Sequence, residues 1–296
     1  MKKLSSNLNL LNYFRVARAQ TLVMSVLGIL NSLAYVEHSY NVINYSSFLF
    51  VAISVICFHV AANTLSEYRD CKNGLDEQHS KGTKYRLVTG IVPERHVRII
   101  GYVAFCIGCC SGIWALYFGS LLLFVPGIIS ALIAFLYSEG PYGFKYHALG
   151  EVCVFLGWGP LLFSSCVISL VGYLQPMDIL FSIPFGFLVC CVLLANNIRD
   201  AEFEKGKTVT IPIKFGLKFS YVILFCLVHF AFLTVIFLVY LKMIPTISLL
   251  SLIGYLVVFY AAFKISSPKF INAFGIMLSV FGILMYLSFK IAEFIK

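Results

Sequence analysis

The chain has 296 residues, 60% of them hydrophobic and only 12% charged, where soluble domains run at roughly 45–50% and 25%. With a mean hydropathy of +0.92, this composition excludes a water-soluble globular fold and makes lipid the solvent. A net charge of +9 raises the question of a nucleic-acid partner, but the bases are distributed as membrane topology would distribute them.

The stretch through Arg18 is polar and leads into a full-length apolar segment without a small-residue cleavage site, so no cleavable signal peptide is expected. Nine apolar segments follow, near residues 20–40, 44–66, 97–118, 120–137, 149–173, 177–195, 219–241, 245–263 and 270–292. Most approach the ~20 residues needed to cross a hydrocarbon core. The join between the third and fourth has only Gly119 and Ser120 as a turn signal. The expected fold is all-α, a polytopic membrane protein of nine transmembrane helices around a central cavity with a polar cap of loops, as one domain over residues 1–296. The ten cysteines are scattered, mostly in apolar segments, and Cys106, Cys109 and Cys110 sit inside a predicted span. They read as small buried hydrophobes, because no second ligand pair of zinc-like spacing accompanies them.

With nine spans, the N-terminus and the loops after even-numbered helices carry nineteen of the 22 Lys and Arg residues. Only Lys242, Lys290 and Lys296 fall on the other side. The positive-inside rule then places the N-terminus and the polar loops in the cytoplasm, in the inner membrane if the source is bacterial. Two of those loops, roughly Glu67 to Arg98 and Asn197 to Lys218, also hold eight of the thirteen acidic residues.

The first acidic run reads Asn63-Thr64-Leu65-Ser66-Glu67-Tyr68-Arg69-Asp70-Cys71-Lys72-Asn73-Gly74-Leu75-Asp76. If the second helix continues through Asp70, then Asn63, Glu67 and Asp70 share one face at i, i+4 and i+7. Asn73-Gly74 supplies a C-cap, after which Asp76 can turn back toward that face. The second run reads Asn196-Asn197-Ile198-Arg199-Asp200-Ala201-Glu202-Phe203-Glu204-Lys205, with Asn196, Asp200 and Glu204 down one side. Carboxylates and amides suit hard cations, and Mg²⁺ is usually held by one or two carboxylates together with phosphate oxygens. At about 5 Å and an effective dielectric of ~20, each like-charge pair costs about 3 kcal/mol, so facing carboxylates require divalent cations, separation or protonation. Lys72, Arg86, Arg199 and Lys205 are placed to neutralise diphosphate oxygens. The plainer reading is two solvated loops whose acids pair with neighbouring bases. It weakens because matched Asn-plus-carboxylate runs recur at equivalent helix ends. A cation transporter is a further reading, but no series of intramembrane ionisable residues marks a path across.

These runs resemble the two aspartate-rich motifs of the UbiA superfamily. Arg18-Ala19-Gln20-Thr21-Leu22 is similar to the family's opening Arg-Pro-x-Thr-Leu, with Ala19 in place of Pro. Arg86-Leu87-Val88-x-Gly90, Tyr137-Ser138-Glu139-Gly140-Pro141, Leu149-Gly150-Glu151 and Asn196-Asn197-Ile198-Arg199-Asp200 look like segments of 1,4-dihydroxy-2-naphthoate polyprenyltransferases. The resemblance runs from about residue 13 to 218, and beyond that only hydropathy matches. The chain departs from the pattern at Ser66-Glu67, where Asn-Asp is common, and at Glu204, where Asp is usual.

The resemblance implies that Asp70, Asp76, Asp200 and Glu204 hold Mg²⁺ on a polyprenyl diphosphate, supported by Asn63, Ser66, Glu67, Asn196 and Asn197. Cleavage of the C1–O bond gives an allylic cation, and an aromatic acceptor, 1,4-dihydroxy-2-naphthoate in menaquinone biosynthesis, attacks it while water is kept out. Lys145 or His147 is a candidate for the acceptor carboxylate, Tyr68 and Tyr137 for stabilising the cation through their ring faces, and Glu151 and Glu139 for a structural hydrogen bond or acceptor orientation. Within the superfamily the alternative acceptors are 4-hydroxybenzoate, homogentisate, haem and a glycerol lipid.

Overall fold

The computed structural model describes residues 10–41, 43–75, 87, 89–140, 143–262 and 269–295, so Asp76 and Arg86 lie outside the described residues. Among the described residues the protein is all-helical, with no strand and two isolated β-bridges, one of them joining His147 to Val209. We number the principal helices α1 (Ala19–Ser39), α2 (Tyr45–Lys72), α3 (Glu94–Phe118), α4 (Leu121–Leu136), α5 (Gly150–Val171), α6 (Pro176–Glu204), α7 (Leu217–Tyr240), α8 (Thr246–Phe259) and α9 (Asn272–Ile295).

Each of the nine apolar segments is thus helical where described, and among the described residues seven helices are long and apolar enough to cross a membrane, the described parts of α4 and α8 being shorter. The described residues show seven candidate spans of the nine expected. Both short helices begin with tight 3-10 turns, Leu121–Leu123 and Thr246–Leu252. The turn into α4 follows Ser120, whose side chain accepts from the Leu122 N–H.

The longest helices carry the acidic runs. Helix α2 starts at an Asn44 cap that accepts from the Ser47 N–H and ends at Asn73, where Gly74 takes the positive φ of 67° that closes the turn. Glu67 and Asp70 are therefore helical and not in a loop. Helix α6 starts with a capping box in which Gln175 and Asp178 satisfy each other's backbone, and Pro176 occupies the first turn. Asp178 also accepts from Tyr35 and Tyr40 at 2.7–2.8 Å, which anchors α1 to α6 at the end remote from the acidic runs.

Helix α3 packs along α2, and its Gly101 and Gly108 let the two backbones approach. A Cβ at Gly101 would sit 2.7 Å from Leu65, and one at Gly108 would sit 2.7 Å from Phe58. The main core lies between α1, α5, α6, α7 and α9, around buried Phe181, Phe281 and Phe289.

Candidate active site

One cavity of about 1150 Å³ is lined from both acidic runs. Helix α2 contributes Asn63, Ser66, Glu67 and Asp70, and α6 contributes Asn196, Asn197, Arg199, Asp200 and Glu204. The segment between α4 and α5 adds Tyr137 and Lys145. Deeper along the same helices the walls become apolar, with Val55 and Phe58 on α2 and Val189, Val192 and Leu193 on α6.

The carboxylates are almost fully buried, Glu67 at 0%, Asp70 at 1%, Asp200 at 7% and Glu204 at 8% exposed. Burial of charge is sustained only by partners. Asp70 accepts from Lys145 Nζ at 2.5 Å and from the Tyr146 hydroxyl at 2.9 Å, while Lys145 also donates to Ser66 Oγ at 2.6 Å. Asp200 receives a bidentate guanidinium from its neighbour Arg199, at 2.6 and 2.7 Å. Glu67 is paired with Arg18, which also lines the cavity. Burial alone would lower the Arg18 pKa, but the charges of Glu67 and Asp70 outweigh it and raise the value well above normal. Burial, then Asp70, hold the Tyr146 phenol protonated.

Lys145 reaches Asp70 because the chain after α4 turns back on itself. Gly140 takes φ 82°, Lys145 N–H bonds to the Tyr137 carbonyl, and Ala148 N–H bonds to the Val209 carbonyl. Tyr146 and His147 sit on the outer side of this segment, in a second pocket of about 590 Å³ that also contains Arg69 and Lys207.

Several expected site residues are elsewhere. Tyr68 lies off the Glu67–Asp70 face, packs with Val16, Leu87, Val92 and Val97, and carries the Arg98 guanidinium 5.6 Å from its ring centre. Lys72 points to Glu94 at 2.8 Å, and Lys205, the exposed C-cap of α6, does not line the cavity. Each is one or two positions from a cavity residue, which on a helix rotates a side chain by about 100–200°. Glu151 is buried and accepts from Asn197 Nδ2 at 2.8 Å, the structural hydrogen bond expected of it, and so orients that amide. Glu139 accepts from Arg69 and Tyr102, and His147 is bonded to the Gly143 carbonyl away from the cavity. Arg18 was not among the candidate site residues, although Arg18-Ala19-Gln20-Thr21 was a visible motif. It takes a left-handed conformation (φ 50°, ψ 43°) at the entry to α1, which no helical periodicity reveals.

The donor set suits Mg²⁺: the cavity carboxylates are accompanied by amide and hydroxyl oxygens, and Cys153 is the one described cysteine in the lining. Among the described residues no three His, Cys, Asp or Glu groups converge to cage a metal alone. Such a site needs phosphate oxygens and water to complete the coordination shell, which is how Mg²⁺ is commonly bound.

The architecture is that of an integral membrane protein whose interior cavity is ionic at the helix ends and oily in its depth. The chain belongs to the UbiA prenyltransferase family, which matches residues 25–281. Among curated relatives, UbiA prenyltransferase domain-containing protein 1 of Gallus gallus is 33% identical over 58% of this chain and 52% of its own length. The protein of the same name from Dictyostelium discoideum is 27% identical over 62% and 57%. The chain thus spans about half the length of the curated relatives it matches. These relatives do not single out the naphthoate branch, so that finer placement rests on the motifs alone. Two solved structures share the fold. A digeranylgeranylglyceryl phosphate synthase has a TM-score of 0.64 at 17% identity, covering 95% of this chain and 98% of its own. A UbiA homolog from Archaeoglobus fulgidus, bound to GPP and Mg²⁺, has a TM-score of 0.64 at 16% identity, covering 94% and 99%.

Proposed function

We propose that this protein transfers a polyprenyl group from a polyprenyl diphosphate to an aromatic acceptor, in a reaction that requires Mg²⁺. The observation that supports this most is the meeting of two buried carboxylate sets, from helices far apart in sequence, over one cavity with an apolar interior. Asp70, Asp200 and Glu204 would hold the metal, with Asp76 as a further ligand. Bound Mg²⁺ supplies charge stabilisation for the departing diphosphate. Arg18, Lys145 and Arg199, paired to Glu67, Asp70 and Asp200, are placed to bind the phosphate oxygens. The apolar walls receive the isoprenoid chain and keep water from the allylic cation, and the Tyr137 ring stands in the same cavity to stabilise it. The acceptor suggested by the motifs is 1,4-dihydroxy-2-naphthoate, in menaquinone biosynthesis, with the polar end of the protein in the cytoplasm.

The test is incubation of purified protein with radiolabelled polyprenyl diphosphate and a panel of acceptors (the naphthoate, 4-hydroxybenzoate and homogentisate), with and without chelator. The expected result is a prenylated naphthalene product, identified by mass, whose formation stops when Mg²⁺ is removed. No metal-dependent consumption of prenyl diphosphate with any acceptor would overturn the proposal.

A further inference from the structure

Below the acid sets, one wall of the cavity is a closed hydrogen-bond network inside an otherwise apolar region. Thr21 and Ser25 of α1, His59 and Asn63 of α2 and Trp158 of α5 all line the cavity. With His59 buried and neutral, the donor inventory fixes the direction of every bond in it. The Thr21 hydroxyl donates its single proton to the Arg18 carbonyl at 2.8 Å, so toward His59 and Asn63 it can only accept. His59 Nε2, 3.1 Å away, therefore carries a proton, and Asn63 presents its NH₂ to Thr21 at 3.0 Å. Trp158 Nε1, a donor only, gives its proton to Ser25 Oγ at 3.0 Å, and Ser25 donates to His59 Nδ1 at 2.8 Å. His59 is thus a neutral Nε2–H tautomer, and the Asn63 Oδ1 is turned away from the network with no hydrogen-bond partner among the described residues.

We propose that this wall seats the aromatic acceptor, with Asn63 Oδ1 receiving a phenolic hydroxyl and Trp158 and His59 forming the adjoining surface. The inference rests on the prenyl-transfer reading and assigns its second substrate. Three features point to it. A polyprenyl chain carries no hydrogen-bond donor, and the cavity offers that chain a separate apolar surface at Phe58, Ile133, Leu162, Val189 and Leu193. Along α2, Asn63 lies about 10 Å and His59 about 16 Å from Asp70, on the stretch between the acid set and the apolar Val55 and Phe58 of the same cavity. Helix α5 is also broken at this level. Residues Gly157–Leu161 form a π-turn in which Gly159 leaves helical geometry (φ −97°, ψ −107°), a distortion found often at functional sites. It sets Trp158 against Ser25, with its ring edge-on to His59 at 4.7 Å. Beside it, a Cβ on Gly157 would meet nothing within 4 Å, so the cavity reaches the backbone there.

The chain has two tryptophans, and Trp114 is exposed on α3, so Trp114→Phe leaves Trp158 as the sole indole reporter. Titrating that protein with 1,4-dihydroxy-2-naphthoate, without prenyl diphosphate, should give saturable quenching of Trp158 emission. The quenching should weaken about tenfold in Asn63→Leu, the effect of one lost hydrogen bond, and disappear in Gly157→Leu, whose side chain fills the seat. In turnover assays the same two substitutions should raise the acceptor KM and leave the prenyl diphosphate KM unchanged. Saturable acceptor binding by equilibrium dialysis without Trp158 quenching, or quenching that survives Gly157→Leu, would overturn the assignment. Because the titration needs no turnover, its failure is distinguishable from failure of the prenyl-transfer reading.

Discussion

Replacing Asp70 by Asn removes one charge from the cavity and preserves the side-chain volume. Among the described residues lining the cavity, Glu67, Asp70, Asp200 and Glu204 face Arg18, Lys145 and Arg199, a surplus of one negative charge. A diphosphate adds about three more, which two divalent cations would balance. Asp70 is 1% exposed, so solvent screens it weakly. At about 4 Å and an effective dielectric of ~20 its charge attracts a divalent cation by about 8 kcal/mol, of which desolvation offsets roughly half. The remaining ~4 kcal/mol corresponds to a loss of about 10³ in kcat, comparable with removal of an oxyanion-hole donor. The assay is Mg²⁺ titration of diphosphate release by purified protein in detergent. Asp70→Asn should shift the Mg²⁺ midpoint upward and lower the plateau by 10²–10³, and Asp200→Asn should do the same from the other helix. Near-wild-type midpoints in both variants would refute the idea that these carboxylates grip the metal.

Arg18→Gln should lower thermal stability in the absence of ligand by about 3–5 kcal/mol, because it leaves the Glu67 carboxylate buried without its cation. The double substitution with Glu67→Gln should recover most of that loss in a thermal melt. Tyr68→Leu and Lys72→Gln should keep turnover within about twofold, since both side chains face away from the cavity. Gly108→Leu should destabilise by about 1–3 kcal/mol, measured by melting, as its side chain is driven into Phe58 and parts α3 from α2.

Much of this arrangement was legible in the sequence because it is local. Apolar length marks the helices, Asn73-Gly74 marks the end of α2, and the i, i+4, i+7 spacing puts Asn63, Glu67 and Asp70 on one face. The same spacing excludes Tyr68, which adjoins Glu67 along the chain but sits about a quarter-turn away. What the sequence withheld is non-local. That Lys145 belongs to Asp70 depends on the fold-back after α4 and its contact with residues near Val209. The roles of Arg18 and His59 depend on a left-handed residue and on hydroxyls from another helix. A lone histidine in an apolar segment carries no periodic signal, so only the bonds around His59 distinguish it from a packed core residue.

The pairing of cavity acids with cavity bases also explains how such a site can form before any substrate arrives. Four buried carboxylates with nothing to oppose them would cost several kcal/mol each and would favour protonation or local unfolding of the helix ends. Arg18, Lys145 and Arg199 offset that cost for Glu67, Asp70 and Asp200 and hold those three carboxylates in place. Under the proposed function, a metal-bound diphosphate would exchange a metal for the protein cation at each paired acid, and the released bases would meet phosphate oxygens in the same space. Binding is then a swap of partners between groups already desolvated and oriented, and the charge count stays close to neutral before and after. A cavity organised this way gains affinity only for a ligand that brings both signs of charge together. It would therefore discriminate against a free diphosphate, which would repel the acids, and against a free divalent cation, which would have to displace the bases with nothing to receive them.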